Sequence, residues 1–310
     1  MSLLKNSGTL TSYAPGKLMI TGEYLVLKGA KALAVPLKLG QHLTMTHHGL
    51  GQIAWETYYQ GKKIFEASFC CETLAIQSQT NIRNAQYISL VLAGVKTLKP
   101  NFFPSKGVSF VSELEFPLEW GLGNSSALIV NLAKLAGVDP IQLHEQTSIG
   151  SGYDVACAFE SKPILYGIKP VPNWEVVAFN PQFADELYLV YLGNKQDSFK
   201  SVKEFYQKCE VSLEQIHEAD ILTHKALKSE TATTFIETLQ ALTQLTSKVL
   251  GIENPLLSRF PHLEGFAKPL GAWGGDFALI VSKLPRQVLK NYLYAENIDV
   301  VYAWDELVKS

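Results

Sequence analysis

The spacing of apolar positions divides the first third of the chain into strands followed by a helix. Residues 9–46 are rich in β-forming side chains, with breaks expected at residues 15–16 and 28–29. Apolar and polar residues then alternate over 53–59 and again over 64–69, with a glycine turn between the two runs. This pattern predicts a β-hairpin.

Helical spacing alternates with strands in the rest of the chain. Apolar positions three and four residues apart predict a helix over 82–98, which ends before a proline. A strand is expected next, then a glycine-rich turn and a second helix. From residue 108 onward, the predicted elements are a strand over 108–116, a helix over 125–136, a strand over 187–192, a helical region over 198–250 interrupted by polar patches, a strand over 277–281, a helix near 285–295 and a terminal strand.

The length and composition of the chain predict two packed lobes. The 310 residues are 47% hydrophobic, enough for one large core or two smaller ones. We place the boundary near residue 180, which gives lobes of residues 1–180 and 181–310. Charged residues make up 18% and the net charge is -2, so there is no basic field for nucleic acid or a membrane surface. Any phosphate must therefore be bound by local groups.

Targeting and cysteine patterns predict a cytoplasmic protein. The N-terminal residues lack the layout of a secretory signal, and no apolar run reaches the roughly 18 residues of a membrane helix. Four scattered cysteines do not form a disulfide framework, and the histidines show no zinc-site spacing. We expect a small-molecule substrate, with no nucleic acid and no membrane as partner. The sequence leaves the oligomeric state open.

A glycine-rich turn carries the clearest chemical signal. Residues 117–127 read PLEWGLGNSSA and lie between a predicted strand and a predicted helix. Glycines let main-chain N–H groups approach an anion, and the helix N-terminus adds unpaired N–H groups and a positive dipole end. Asn124, Ser125 and Ser126 could cap the helix, bind phosphate or ligate Mg²⁺. The Gly-Lys-Ser/Thr of a Walker A loop is absent. An ordinary cap after a glycine turn has the same composition, so this stretch alone leaves both interpretations open.

Four segments in order resemble the motifs of the GHMP kinases, the superfamily of galactokinase, homoserine kinase, mevalonate kinase and phosphomevalonate kinase. GLGNSSA at 121–127 resembles their nucleotide loop. YAPGKLMITGEY at 13–24 resembles their N-terminal motif, and LGAWGGDF at 270–277 their C-terminal glycine motif. GSGYDVA at 150–156 resembles phosphomevalonate kinases and a subgroup of short bacterial chains with a GYD-Ile/Val-Ala signature. Several motifs in one order are far more specific than a single glycine turn.

This resemblance implies a fold and an activity. The implied fold is α+β and two-lobed, with a ribosomal-protein-like α/β lobe at the N-terminus and a ferredoxin-like lobe at the C-terminus. The implied activity is an ATP- and Mg²⁺-dependent kinase of the mevalonate pathway, in isoprenoid precursor synthesis, with phosphomevalonate ahead of mevalonate as acceptor. A diphosphomevalonate decarboxylase-like enzyme and a non-catalytic GHMP-like ligand-binding module are the alternatives.

The resemblance also assigns roles to individual residues. Asp154 is the expected general base or acceptor-orienting carboxylate, and Lys17 is the expected cation beside the acceptor. The expected nucleotide-binding residues are Gly121, Leu122, Gly123, Asn124, Ser125 and Ser126, with Ser125 as the metal contact. The expected substrate-binding residues are Glu23, Gly152, Gly271, Gly274 and Gly275. Several of these have a structural alternative. Asp154 could cap a turn, Glu23 could be a solvated charge at a strand end, Lys17 could be an ordinary surface lysine, and the glycines at 271, 274 and 275 could form a plain β-turn.

The sequence departs from the superfamily pattern at several positions. Asn124 replaces a serine and is a poorer metal ligand, and the usual Mg²⁺-binding glutamate has no counterpart in register. Trp273 replaces a glycine, so we expect it to narrow or block the acceptor pocket, and Phe277 replaces a small residue. These changes motivate the ligand-binding alternative. Retention of both Lys17 and Asp154 favours a kinase.

Overall fold

The structure is a computed structural model that describes residues 8–193, 198–273 and 276–309. The predicted substrate residues Gly274 and Gly275 lie outside these ranges. The described strands are β1 (Thr9–Thr21), β2 (Ala32–His47), β3 (Gln52–Tyr59), β4 (Lys62–Cys70), β5 (Ile76–Gln79), β6 (Val108–Leu114), β7 (Ile164–Gly167), β8 (Asn173–Val176), β9 (Leu187–Tyr191), β10 (Phe266–Pro269), β11 (Phe277–Val281) and β12 (Val301–Ala303). The described helices are α1 (Ile82–Leu98), α2 (Asn124–Ala136), α3 (Pro140–Glu145), α4 (Tyr153–Glu160), α5 (Ser198–Lys208), α6 (Leu213–Leu227), α7 (Ala232–Leu250), α8 (Pro255–Arg259), α9 (Arg286–Ala295) and α10 (Trp304–Leu307).

Most of the predicted elements are confirmed. The hairpin is β3 and β4, the helix over 82–98 is α1, and the helix after the glycine turn is α2. The polar patches inside the long helical region are helix starts: Ser212 and Gln215 form a capping box for α6, and Thr231 caps α7. The predicted break at residues 15–16 is wrong, because β1 runs through it. Proline is tolerated in a strand where its missing N–H is not needed for the ladder.

The chain forms two compact units, and each is discontinuous in sequence. The first unit comprises the described residues up to Gly16, Leu39–Pro117 and Gly123–Phe159. The second comprises Lys17–Lys38, Leu118–Leu122 and the described residues from Glu160 onward. The lobe boundary near residue 180 stays a prediction.

The first unit is a mixed sheet covered by helices. Its strand order is β5-β4-β3-β6-β2, in which β3 and β6 run parallel and the other neighbouring pairs are antiparallel. Trp55 of β3 and Phe110 of β6 stack with ring centroids 5.1 Å apart in its core. Helix α2 has a left-handed glycine at each end, Gly123 and Gly137, which fixes where the helix begins and ends.

The second unit contains an antiparallel sheet of order β10-β11-β9-β12. One face packs on α9 through a core that includes Val190, Ile280, Leu289 and Leu293. The first residues of β2 also belong to this unit and pair with β7, which pairs with β8. A large mixed sheet and a smaller antiparallel sheet confirm the predicted α+β class. Within the described ranges, no helix combines the length and hydropathy of a membrane span.

Candidate active site

The glycine turn has the backbone shape that the sequence predicts. Gly121 and Gly123 have φ values of 66° and 98°, a left-handed conformation that favours glycine. The Ser126 side chain is buried, and its hydroxyl donates to the Gly123 carbonyl at 2.9 Å. Asn124 is half-buried and Ser125 is exposed. The Ser126 hydroxyl therefore forms a hydrogen bond inside the first turn of α2, whereas Ser125 is exposed to solvent.

Lys17 lies against this turn within the second unit. Its main-chain N–H donates to the Leu122 carbonyl at 2.8 Å. Its ammonium donates to the Gly121 carbonyl at 3.5 Å. The predicted cation is therefore next to the predicted nucleotide loop, although the two are about a hundred residues apart in sequence.

Asp276 also lies close to Gly121 within the second unit. A Cβ at position 121 would lie 2.1 Å from Asp276 Oδ2 and 2.4 Å from its Cγ. Glycine is therefore required at 121 for two reasons, namely the positive φ and the close approach of this carboxylate. Asp276 belongs to the glycine motif at 270–277, and its contact with Gly121 is not predictable from the spacing of the sequence.

We expect Gly121→Ala to destabilise the protein more than a matched substitution at Gly193. Gly193 also has a positive φ, 81°, but a Cβ there would meet no atom within 4 Å. The left-handed conformation costs about 1–2 kcal/mol at either site, and the collision with Asp276 should add about 1–3 kcal/mol at Gly121. Denaturant unfolding of both variants measures the difference. Adding Asp276→Ala should remove the extra cost at Gly121, and equal losses in the two single variants would contradict the contact.

Asp154 and Ser125 are linked by a tyrosine within the first unit. Asp154 is half-buried in the first turn of α4, just after Gly152, whose φ is 81°. The hydroxyl of Tyr87, on α1, is hydrogen-bonded to the Ser125 side chain. Burial raises the pKa of Tyr87, and the negative charge of Asp154 raises it further, while the Ser125 hydrogen bond opposes both. Side chains from three helices therefore interact at the start of α2.

Glu23 is buried and paired with a lysine that the sequence analysis missed. The Glu23 side chain is 4% exposed and forms an ion pair with Lys268 of β10, which is 3% exposed. Lys268 also donates to the Pro269 carbonyl at 3.3 Å. Burial raises the pKa of Glu23 and lowers the pKa of Lys268, and the attraction between the two opposes both shifts. The solvated-charge alternative for Glu23 is therefore wrong.

Comparison with known proteins gives matches among solved structures. No family model matches the chain and no curated protein matches it. The phosphomevalonate kinase of Streptococcus pneumoniae, solved in complex with phosphomevalonate and AMPPNP, is 17% identical, has a TM-score of 0.69, and is matched over 94% of this chain and 99% of that chain. The Methanococcus jannaschii mevalonate kinase is 17% identical with a TM-score of 0.65, over 96% and 98% of the two chains. The Lactococcus lactis galactokinase complexed with galactose is 12% identical with a TM-score of 0.67, over 97% and 93%.

The chain has the GHMP kinase fold. The matches extend over nearly the whole length of both chains in each comparison, which confirms the resemblance that the four motifs indicated. A shared fold does not by itself fix the chemistry, so the activity has to be argued from the site.

The segment that ends at Tyr24 contacts the segment around the C-terminal glycine motif within the second unit. Besides the Glu23–Lys268 pair, the Trp273 main-chain N–H donates to the Tyr24 hydroxyl at 3.1 Å. Trp273 itself is only 8% exposed, so its indole packs inside this unit. Gly271 has a φ of 71° with no atom within 4 Å of a Cβ position, so its backbone conformation is the reason for glycine there.

The residues missed by sequence reasoning share one property. Tyr87, Lys268 and Asp276 each act on a motif residue from an element that is distant in sequence. Lys268 does carry a weak signal, because it is the one charge in the apolar run FAKPL directly before the glycine motif.

Among the described residues, no group of three or more His, Cys, Asp or Glu side chains could hold a metal ion.

Proposed function

We propose that this protein is an ATP-dependent GHMP-type kinase of the cytoplasm that phosphorylates phosphomevalonate in preference to mevalonate. One observation carries the proposal: both charged candidates are tied to the same short loop. Lys17 contacts Gly121 and Leu122, and Asp154 is linked to Ser125 through Tyr87. Residues 121–126 are consecutive in the sequence, so the two charged candidates interact with residues of one short motif.

The loop fits a triphosphate. Its left-handed glycines and the free N–H groups at the start of α2 suit phosphate oxygens. The exposed Ser125 hydroxyl is the protein group that would contact Mg²⁺, which usually enters such sites with the nucleotide phosphates and few protein ligands. When bound, Mg²⁺ neutralises charge on those phosphates.

Lys17 and Asp154 act on the acceptor in this proposal. With a hydroxyl acceptor, Asp154 takes the proton as the oxygen attacks, and the positive charge of Lys17 lowers the pKa of that hydroxyl. With a phosphate acceptor no proton needs to leave, and Lys17 offsets the repulsion between two anions. Catalysis is then mainly positioning and charge neutralisation, as phosphoryl transfer requires.

Two observations favour a phosphorylated acceptor. The GSGYDVA segment around Asp154 resembles the corresponding segment of phosphomevalonate kinases. In addition, Glu23 is neutralised by Lys268, so its carboxylate adds no unpaired negative charge that would repel an anionic acceptor.

A coupled ADP-release assay tests the proposal directly. The full chain is incubated with ATP and each of mevalonate, phosphomevalonate, diphosphomevalonate, homoserine and galactose, with Mg²⁺ or with EDTA. We expect the fastest ADP release with phosphomevalonate, and none with EDTA. ADP together with CO₂ from diphosphomevalonate would instead identify a decarboxylase. ATP binding without ADP release from any acceptor would favour a ligand-binding module.

A further inference from the structure

A buried polar network lies behind the nucleotide loop in the first unit. Gln41 of β2, Ser112 of β6 and Asn131 of α2 are 2%, 1% and 0% exposed. The network reaches the loop at Asn124, the residue that replaces a serine of the superfamily motif. Gln41, Ser112 and Asn131 are not among the residues proposed to contact the nucleotide or the acceptor.

A main-chain carbonyl fixes the direction of the network at one end. Asn131 Nδ2 donates to the Gln41 main-chain oxygen at 2.9 Å. A carbonyl oxygen only accepts, so the Asn131 amide must present its NH₂ group to Gln41. The same NH₂ group lies 3.4 Å from one atom of the Gln41 side-chain amide. Because a donor faces it, that atom must be the acceptor Oε1.

The orientation of Gln41 then determines the orientation of Asn124. With Oε1 directed at Asn131, the Gln41 Nε2 group donates to Ser112 Oγ at 2.9 Å and to the Asn124 amide at 3.3 Å. The Asn124 atom facing this donor must be Oδ1. Asn124 Nδ2 is consequently directed away from the network, because a reversed amide would place two donor groups against each other at this half-buried position.

We propose that Gln41 is a positioning residue that holds Asn124 with its NH₂ group toward the ligand, so that Asn124 donates to a phosphate oxygen and does not ligate the metal. This inference rests on the proposed nucleotide site and adds the role of one loop residue and the group that controls it. It also explains how the loop tolerates asparagine in place of serine, because the amide keeps a hydrogen-bond donor at the phosphate.

Substitutions at the half-buried Asn124 give the sharpest test. Asn124→Asp keeps the oxygen that accepts from Gln41 and replaces only the outward NH₂ group with a negatively charged oxygen. Binding of Mg·ATP to the full chain is measured by calorimetry for wild type, Asn124→Ala and Asn124→Asp. We expect Asn124→Ala to weaken binding by about 10- to 100-fold, the loss of one hydrogen bond to a charged group. We expect Asn124→Asp to be weaker still, because it adds repulsion.

If Asn124 ligated the metal, the affinities for Mg·ATP would follow a different order, because a carboxylate is a better Mg²⁺ ligand than an amide. Asn124→Asp would then bind Mg·ATP at least as tightly as wild type, and the inference would be overturned. If wild type binds no ATP, the proposed function fails and the inference fails with it. Weakened binding in the order wild type, alanine, aspartate supports both.

The role of Gln41 is tested by coupling. If Gln41 acts through Asn124, Gln41→Leu weakens Mg·ATP binding in the wild-type background and has no further effect in the Asn124→Ala background. A merely structural Gln41 would weaken binding equally in both backgrounds, which would overturn its positioning role. Should Gln41→Leu not fold, Gln41→Glu replaces it, because a carboxylate only accepts and should turn the Asn124 amide around.

Discussion

Asp154→Ala is expected to lower turnover by about two to four orders of magnitude while binding of Mg·ATP is retained. Asp154 lies in the first turn of α4. Its negative charge raises the pKa of Tyr87, which is hydrogen-bonded to Ser125 of the loop. The substitution removes the group that accepts a proton or orients the acceptor, but it leaves the main-chain N–H groups of the loop unchanged. Turnover is measured by ADP release and nucleotide affinity by calorimetry on the same preparation.

Glu145→Ala is the matched control for this substitution. Glu145 is an exposed acid at the end of α3 in the same unit, and nothing places it at the loop. It should turn over like wild type. Near-normal turnover of a folded Asp154→Ala protein would remove Asp154 from the mechanism, and a parallel loss of ATP affinity would point to a binding role.

Lys268→Met is expected to reduce the free energy of unfolding by about 3–5 kcal/mol, because it leaves the buried Glu23 carboxylate without its partner. Methionine keeps most of the length of the side chain, so the lost charge dominates the effect. Among the described residues, Lys268 is the charged side chain that favours the ionised form of Glu23, and Tyr24 is a neighbouring titratable group. Chemical unfolding at several pH values measures the change.

The loss should depend on pH in a direction set by Glu23. Without Lys268, burial holds the folded pKa of Glu23 above its unfolded value of about 4.3, so the folded state binds more protons between the two values. Stability is then greatest below the unfolded pKa and falls as the pH rises through the folded pKa. Lys268→Met should therefore be less destabilised near pH 5 than near pH 8.

A second substitution separates charge from packing. Glu23→Gln combined with Lys268→Met removes both charges, so the variant should regain stability relative to Lys268→Met and lose the added pH dependence. If the double variant is as unstable as Lys268→Met at every pH, the pair stabilises the turn through packing and not through charge.

Local sequence signals predict the fold of this protein much better than its long-range polar contacts. The spacing of apolar residues predicts α1 and α2 because each buries one face on the sheet, and cap residues mark the starts of α6 and α7. Pro15–Gly16 wrongly predicts a break in the strand, because the pairing of β1 with β2 outweighs this local breaker signal. Short elements such as β10 are also missed, since four residues carry too little periodicity.

The motif residues are predicted for a different reason, and their partners are not. A positive φ or a helix cap depends on the local backbone conformation, so the sequence alone predicts the need for glycine at Gly121, Gly123 and Gly152. The pairing of Glu23 with Lys268 joins residues 245 positions apart, and Gln41 of strand β2 contacts Asn124 at the start of helix α2. Sequence spacing tells which side chains turn inward, but only the folded sheet determines which polar groups meet.

A crystal structure of the full chain with Mg²⁺ and a non-hydrolysable ATP analogue tests the central claim most directly. We expect a triphosphate held by the main-chain N–H groups of residues 123–126, with its terminal phosphate facing the Lys17 ammonium and the Asp154 carboxylate. A nucleotide bound elsewhere, or a terminal phosphate remote from both side chains, would contradict it.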